Sequence, residues 1–76
     1  MQFEPKDLIA VANWVMPFGK YKGRRIAELP EAYLLWFQGR GFPTGDLGRV
    51  MALALTLKEN DLESLVRPLT QPPVKD

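Results

Sequence analysis

At 76 residues, 46% of them hydrophobic, the chain is long enough for one small domain, too apolar to stay disordered, and too short for a second independently folding unit. It contains neither cysteine nor histidine, which removes disulfides, thiolate metal sites, Ser-His-Asp and Cys-His catalysis and zinc hydrolysis, and leaves only carboxylate or lysine chemistry. Ten basic and nine acidic residues give a net charge of +1, so the overall balance points to no anionic partner.

Glu4, Lys6 and Asp7 precede the first apolar stretch, the reverse of a basic leader followed by an apolar run. The longest strongly apolar stretch, 50–57, spans eight residues and includes Thr56, whereas a bilayer span needs about 20. A cytoplasmic location without membrane association is the expectation.

The first helix is expected over residues 5–15, with Pro5 at its first position, Asp7 in its first turn, and Leu8, Val11, Ala12 and Val15 at helical spacing. Pro17 should end it and hold Met16 extended. Residues 16–27 change character because Gly19 and Gly23 bracket Lys20, Tyr21 and Lys22. They read as a short β-hairpin with arms at 17–19 and 24–27, anchored on the helices by Phe18 and Ile26. Pro30 opens a second helix to about Gln38, terminated by Gly39 and Gly41. Its interior, 32–37, is apolar on every side, so the helix should either be central in the domain or lie in a partner interface, which suggests a homodimer. After a loop at 42–45, Thr44 or Gly45 caps a third helix over 46–58, with Leu47, Val50, Met51, Ala54, Leu55 and Lys58 on one stripe, and Asn60 breaks it. A short fourth helix is expected over 61–66, before Pro68. Together these elements predict an α+β domain over residues 1–69 and a solvated tail over 70–76 containing Pro72 and Pro73.

Four of the ten basic residues, Lys20, Lys22, Arg24 and Arg25, lie within six positions free of acid, while Glu59, Asp61 and Glu63 cluster far along the chain. In a glycine-bracketed turn, backbone N–H groups and lysines can approach a phosphate, Tyr21 can stack on a base, and the arginines can fork onto backbone oxygens. The same residues also suit a solubilising hairpin tip that blocks edge pairing. The 39–41 and 45–49 segments contain glycine and arginine but read as a helix stop and a helix start, with Arg40 and Arg49 extending the basic surface only if the fold brings them near Lys20. Glu28, Glu31 and the 59–63 acids suit helix termini and solvated surface better than a two-metal nuclease centre. Trp14 and Trp36 read as core residues, and the Tyr33 hydroxyl needs a partner or water if buried.

The run from Met16 through Pro17, Phe18, Gly19, Lys20, Tyr21 and Lys22 to Gly23, followed by Leu29-Pro30 and by Tyr33, Leu34 and Trp36, resembles a family of short bacterial proteins described as quorum-sensing-regulated virulence factors. The resemblance is specific over 16–36, extends to Leu57, and implies a stand-alone member of a family whose name reflects expression rather than chemistry. The same motif with Leu29-Pro30 is similar to the small module that follows the catalytic domain of some proofreading-type exonucleases. That second resemblance implies a binding role for Phe18, Gly19, Lys20, Lys22 and Gly23 without the nuclease acids, although Gly19, Gly23 and Phe18 also suit backbone geometry and packing. The expectation is a non-enzymatic module that uses no metal and no cofactor. Two roles stay open: nucleic-acid binding through Lys20, Tyr21, Lys22, Arg24 and Arg25, or protein interaction, as a homodimer, through the apolar second helix.

Overall fold

The computed structural model describes residues 4–70, so residues 71–76 of the expected tail lie outside the described segment. Three α-helices, α1 (Pro5–Asn13), α2 (Glu31–Arg40) and α3 (Asp46–Glu59), are joined by loops and by three single-turn 3₁₀ helices at Ile26–Glu28, Glu63–Leu65 and Arg67–Leu69. The described residues contain no sheet. The fold is predominantly helical rather than α+β, and the expected hairpin is reduced to one isolated antiparallel bridge between Val15 and Arg25.

The reason lies in where the backbone donors go. Lys22 donates to the Gly19 carbonyl at 3.2 Å and Arg24 to that of Tyr21 at 2.9 Å, so the segment between the glycines coils on itself instead of pairing across. Beyond it, Glu28 donates to Arg25 at 2.9 Å and Leu29 to Ile26 at 3.1 Å, which turns the second expected arm into a 3₁₀ helix. The bridging bonds instead join residues 14–16, before the expected first arm, to residues 23–26: Met16 N–H to the Arg24 carbonyl at 2.8 Å, Gly23 N–H to that of Met16 at 2.8 Å, and Ile26 N–H to that of Trp14 at 2.7 Å. Pairing at Trp14 and Val15 also explains why α1 stops at Asn13 instead of reaching residue 15. Trp14 already has ψ 144°. The Asn13 side-chain amide donates to the Ile9 carbonyl at 3.0 Å and the Leu69 carbonyl at 2.9 Å, tying the end of α1 to the last 3₁₀ turn.

The central helix is α3, whose Gly48, Val50, Met51, Ala54, Leu55 and Leu57 are buried. It packs against α1, α2 and the Ile26–Glu28 turn. Val11, Ala12, Met16, Ile26, Leu29 and Leu34 complete the centre of the core. Gly45, at φ 84°, stands at the N-cap of α3. Its C-terminus is a Schellman turn: Asp61 N–H reaches the Lys58 carbonyl at 3.3 Å, Leu62 N–H reaches that of Leu57 at 2.8 Å, and Asp61 occupies the left-handed position at φ 56°. The expected fourth helix over 61–66 therefore gives way to the two 3₁₀ turns. Pro68 sits inside the second of these, where its missing N–H costs nothing.

Helix α2 is peripheral. It runs on to Arg40, includes Gly39, and ends at Gly41, which has φ 100°. Leu34 is its buried residue, with Tyr33 and Phe37 half-buried beside it. Trp36 is 52% exposed and Trp14 42%, so neither tryptophan is the core residue its helical surroundings suggested. No helix among the described residues is long and apolar enough to cross a membrane.

Candidate functional site

The turn from Pro17 to Arg25 projects from the junction of α1 and the Ile26–Glu28 turn, held at its base by the bonds of Met16 to Gly23 and Arg24. Gly19 has φ 80° and Gly23 φ 89°, conformations that L side chains rarely adopt. Gly19 carries a second constraint, because a Cβ there would lie 2.9 Å from the Tyr33 hydroxyl oxygen. Both motif glycines thus have structural work in this turn. Leu29 is buried in the core, and Pro30 stands at the N-cap of α2, its carbonyl accepting from the Tyr33 and Leu34 N–H groups. The Leu29-Pro30 pair accordingly fixes where α2 starts, and α2 in turn supplies the rings on which the turn rests.

Those rings form a continuous aromatic seam. Tyr21 packs edge-on against Tyr33 with centroids 4.7 Å apart, Tyr33 against Phe37 at 5.2 Å, and Trp36 against Phe37 at 5.1 Å. Phe18 approaches Phe37 from the turn side at 6.4 Å. Phe37 is therefore the hub. It was not singled out from the sequence, although its i, i+4 spacing from Tyr33 was a usable signal. Tyr21 is half-buried and has one side of its ring engaged by Tyr33, whereas Phe18 remains 43% exposed. Of the turn's two aromatic rings, Phe18 is the more open to a ligand.

Lys20, Lys22 and Arg24 are exposed. The Lys20 ammonium lies 5.5 Å from the Tyr21 ring centroid, a weak cation–π contact at an exposed site. Neither lysine forms an ion pair among the described residues. Arg24 meets Glu28 at 4.0 Å, with both side chains more than half exposed, so water screens the pair heavily. Arg25 is half-buried and engaged within the fold. The four basic residues thus divide into three available cations and one committed one.

Arg40 stacks over Trp36, its guanidinium carbon 4.5 Å from the ring centroid. Arg49 is occupied elsewhere, donating to Asp7 at 2.5 Å and to Asp46 at 3.4 Å. The Asp7 hydrogen bond and charge, aided by Asp46, hold its guanidinium above the ordinary arginine pKa. Among the acids, Glu63 accepts from Lys58 at 2.9 Å, and the same ammonium donates to the Ala27 carbonyl at 3.0 Å. Among the described residues, no cluster of three or more acidic side chains converges as a metal site. A small hollow lined by Val11, Ala27, Ala54, Leu57 and Lys58 has an internal volume of about 10 Å³, room for roughly one water rather than a substrate.

A family described as "Putative quorum-sensing-regulated virulence factor" matches residues 4–69. Two curated relatives, each named "Uncharacterized protein YpeB", come from Escherichia coli strain K12 and Escherichia coli O157:H7. Each is 53% identical over 70 residues, which covers 91% of this chain and 97% of the relative. No solved structure matches. The match spans the turn, the aromatic seam and all three helices, and on that extent the chain belongs to the quorum-sensing-regulated virulence factor family.

Proposed function

We propose that the chain is a non-enzymatic module that binds nucleic acid through the 17–25 turn, single strands ahead of duplex. The observation that carries this reading is that three exposed cations, Lys20, Lys22 and Arg24, share one turn with the exposed Phe18 ring, with Glu28 the one carboxylate paired to any of them among the described residues. Cations beside an open ring suit a polyanion that also offers unpaired bases, because phosphates take the charge and a base takes the ring face. A duplex keeps its bases stacked and gains only the charge. The resemblance of 16–30 to the module that follows the catalytic domain of some proofreading-type exonucleases points the same way.

With three cations available, the logarithm of affinity should fall with the logarithm of salt at a slope of roughly −2 on single strands and roughly −3 on duplex. Fluorescence anisotropy of labelled oligonucleotides from low to moderate salt reads both slopes. A complex indifferent to salt sinks the proposal. Phe18→Ala should weaken single-strand binding about tenfold while leaving duplex binding nearly unchanged, since stacking contributes ~1–3 kcal/mol per base. Equal losses on both forms would remove Phe18 from the ligand contact.

A further inference from the structure

We infer that Tyr33 is the positioning residue of the 17–25 turn: its ring, fixed on α2, holds the turn in one conformation and so sets how strongly the turn's cations bind. The inference rests on the nucleic-acid reading for what is bound, but not for the hold itself. Tyr33 touches the turn twice. Its hydroxyl oxygen lies 2.9 Å from where a Gly19 Cβ would stand, the one atom beyond the chain neighbours within 4 Å of that point among the described residues. Its ring meets that of Tyr21 with centroids 4.7 Å apart and planes at 71°. Lys20 sits between these two contacts, and its ammonium lies 5.5 Å from the Tyr21 centroid.

Gly19 and Tyr21 are also the two residues whose carbonyls close the turn. Lys22 N–H donates to Gly19 at 3.2 Å and Arg24 N–H to Tyr21 at 2.9 Å, so each internal hydrogen bond ends on a residue that Tyr33 braces. The bonds of Gly23 N–H to Met16 and Ile26 N–H to Trp14 tie the base of the turn to residues outside it. Tyr33 itself is firmly placed. Its N–H donates to the Pro30 carbonyl at 3.1 Å in the first turn of α2, the next residue, Leu34, is buried in the core, and Phe37 backs its ring at 5.2 Å. A turn closed by so few bonds would otherwise be ordered only on binding, at an entropic cost that weakens the complex. The brace meets that cost beforehand, so Lys20, Lys22 and Arg24 are presented together before a ligand arrives.

The test is amide hydrogen exchange, read by nuclear magnetic resonance on the free full chain, together with anisotropy on labelled oligonucleotides. Tyr33→Leu keeps a good helix former on α2 and removes the ring from both contacts. The Lys22 and Arg24 amides should exchange about fivefold faster, the equivalent of one aromatic pair, while those of Gly23 and Ile26 stay within about twofold of wild type. Affinity should fall about fivefold on single strands and duplex alike with the salt slope unchanged, because the same cations still meet the phosphates. Tyr33→Phe, which keeps the ring against Tyr21, should return both readouts close to wild type. Tyr21→Leu removes the ring from the turn side with α2 intact, and should speed exchange at Arg24 to the same extent. Unchanged exchange at Lys22 and Arg24 in Tyr33→Leu, or equal acceleration at Gly23 and Ile26, overturns the hold whether or not the chain binds. Faster exchange with unaltered affinity overturns its role in binding. A wild type that binds no oligonucleotide refutes the nucleic-acid reading instead, and the exchange result then decides the hold alone.

Discussion

Replacing Gly48 with alanine inverts an ordinary rule. In an exposed helix interior, Gly→Ala gains about 1 kcal/mol from helix propensity. Gly48 is buried in the first turn of α3, where a Cβ would lie 1.7 Å from the Pro43 carbonyl oxygen, 2.9 Å from its carbon and 3.4 Å from the Phe42 Cβ. The first two obstacles are backbone, so no rotamer change relieves them, and the 42–43 loop has to move by more than an ångström. Forcing a methyl into a packed site costs ~1–3 kcal/mol, and a backbone obstacle belongs at the top of that range. After the propensity gain, a net loss of about 2 kcal/mol remains, which at 4–8 °C per kcal/mol lowers the melting temperature by roughly 8–16 °C. Thermal and urea melts followed by far-ultraviolet circular dichroism measure it. Gly39→Ala is the control, because nothing lies within 4 Å of its Cβ and its backbone is helical. It should gain about 0.5–1 kcal/mol. A Gly48→Ala chain as stable as wild type would refute the assignment of Gly48 as the point where α3 meets the 42–43 loop.

Two further substitutions probe how the helices end and how the turns are tied together. Asp61→Gly should stabilise the chain by about 0.5–1 kcal/mol, since Asp61 holds the left-handed position of the Schellman turn that glycine fills without strain; an unchanged urea midpoint contradicts that geometry. Lys58→Met keeps the aliphatic stem but removes the donor to the Ala27 carbonyl and to Glu63. Its side chain is only 12% exposed, so the loss should be about 1–2 kcal/mol, read from the same urea midpoint, and a neutral result would mean that water replaces both partners.

What could be read from the sequence follows how local each determinant is. The start of α1 was visible because Pro5 and Asp7 act within one turn, and α3 was visible because its stripe persists over four turns. The end of α1 was not, because Val15 is drawn from the helix by Arg25, ten positions away. The hairpin failed for a related reason: glycines at 19 and 23 mark a turn but do not say whether the donors between them bond across or back along the chain. For α2, an all-apolar run cannot reveal which side faces the core, and the fold buries Leu34 while leaving Leu35 and Trp36 outside. At the candidate site, the exposure of Lys20, Lys22 and Arg24 could be anticipated from charge and glycine spacing. The packing of Tyr21 could not, because its partner Tyr33 lies twelve residues on, and Phe37 became important only once α2 set its ring between Phe18 and Trp36.

The most direct test of the basic turn is the salt dependence of single-strand binding by wild type and by Lys20→Ala/Lys22→Ala, followed by anisotropy on one labelled oligonucleotide. If the two lysines each neutralise a phosphate, the double variant should bind more weakly at every salt concentration, with a slope shallower by roughly 1.4. A variant that matches wild type in both affinity and slope would contradict the assignment of this turn as the nucleic-acid site.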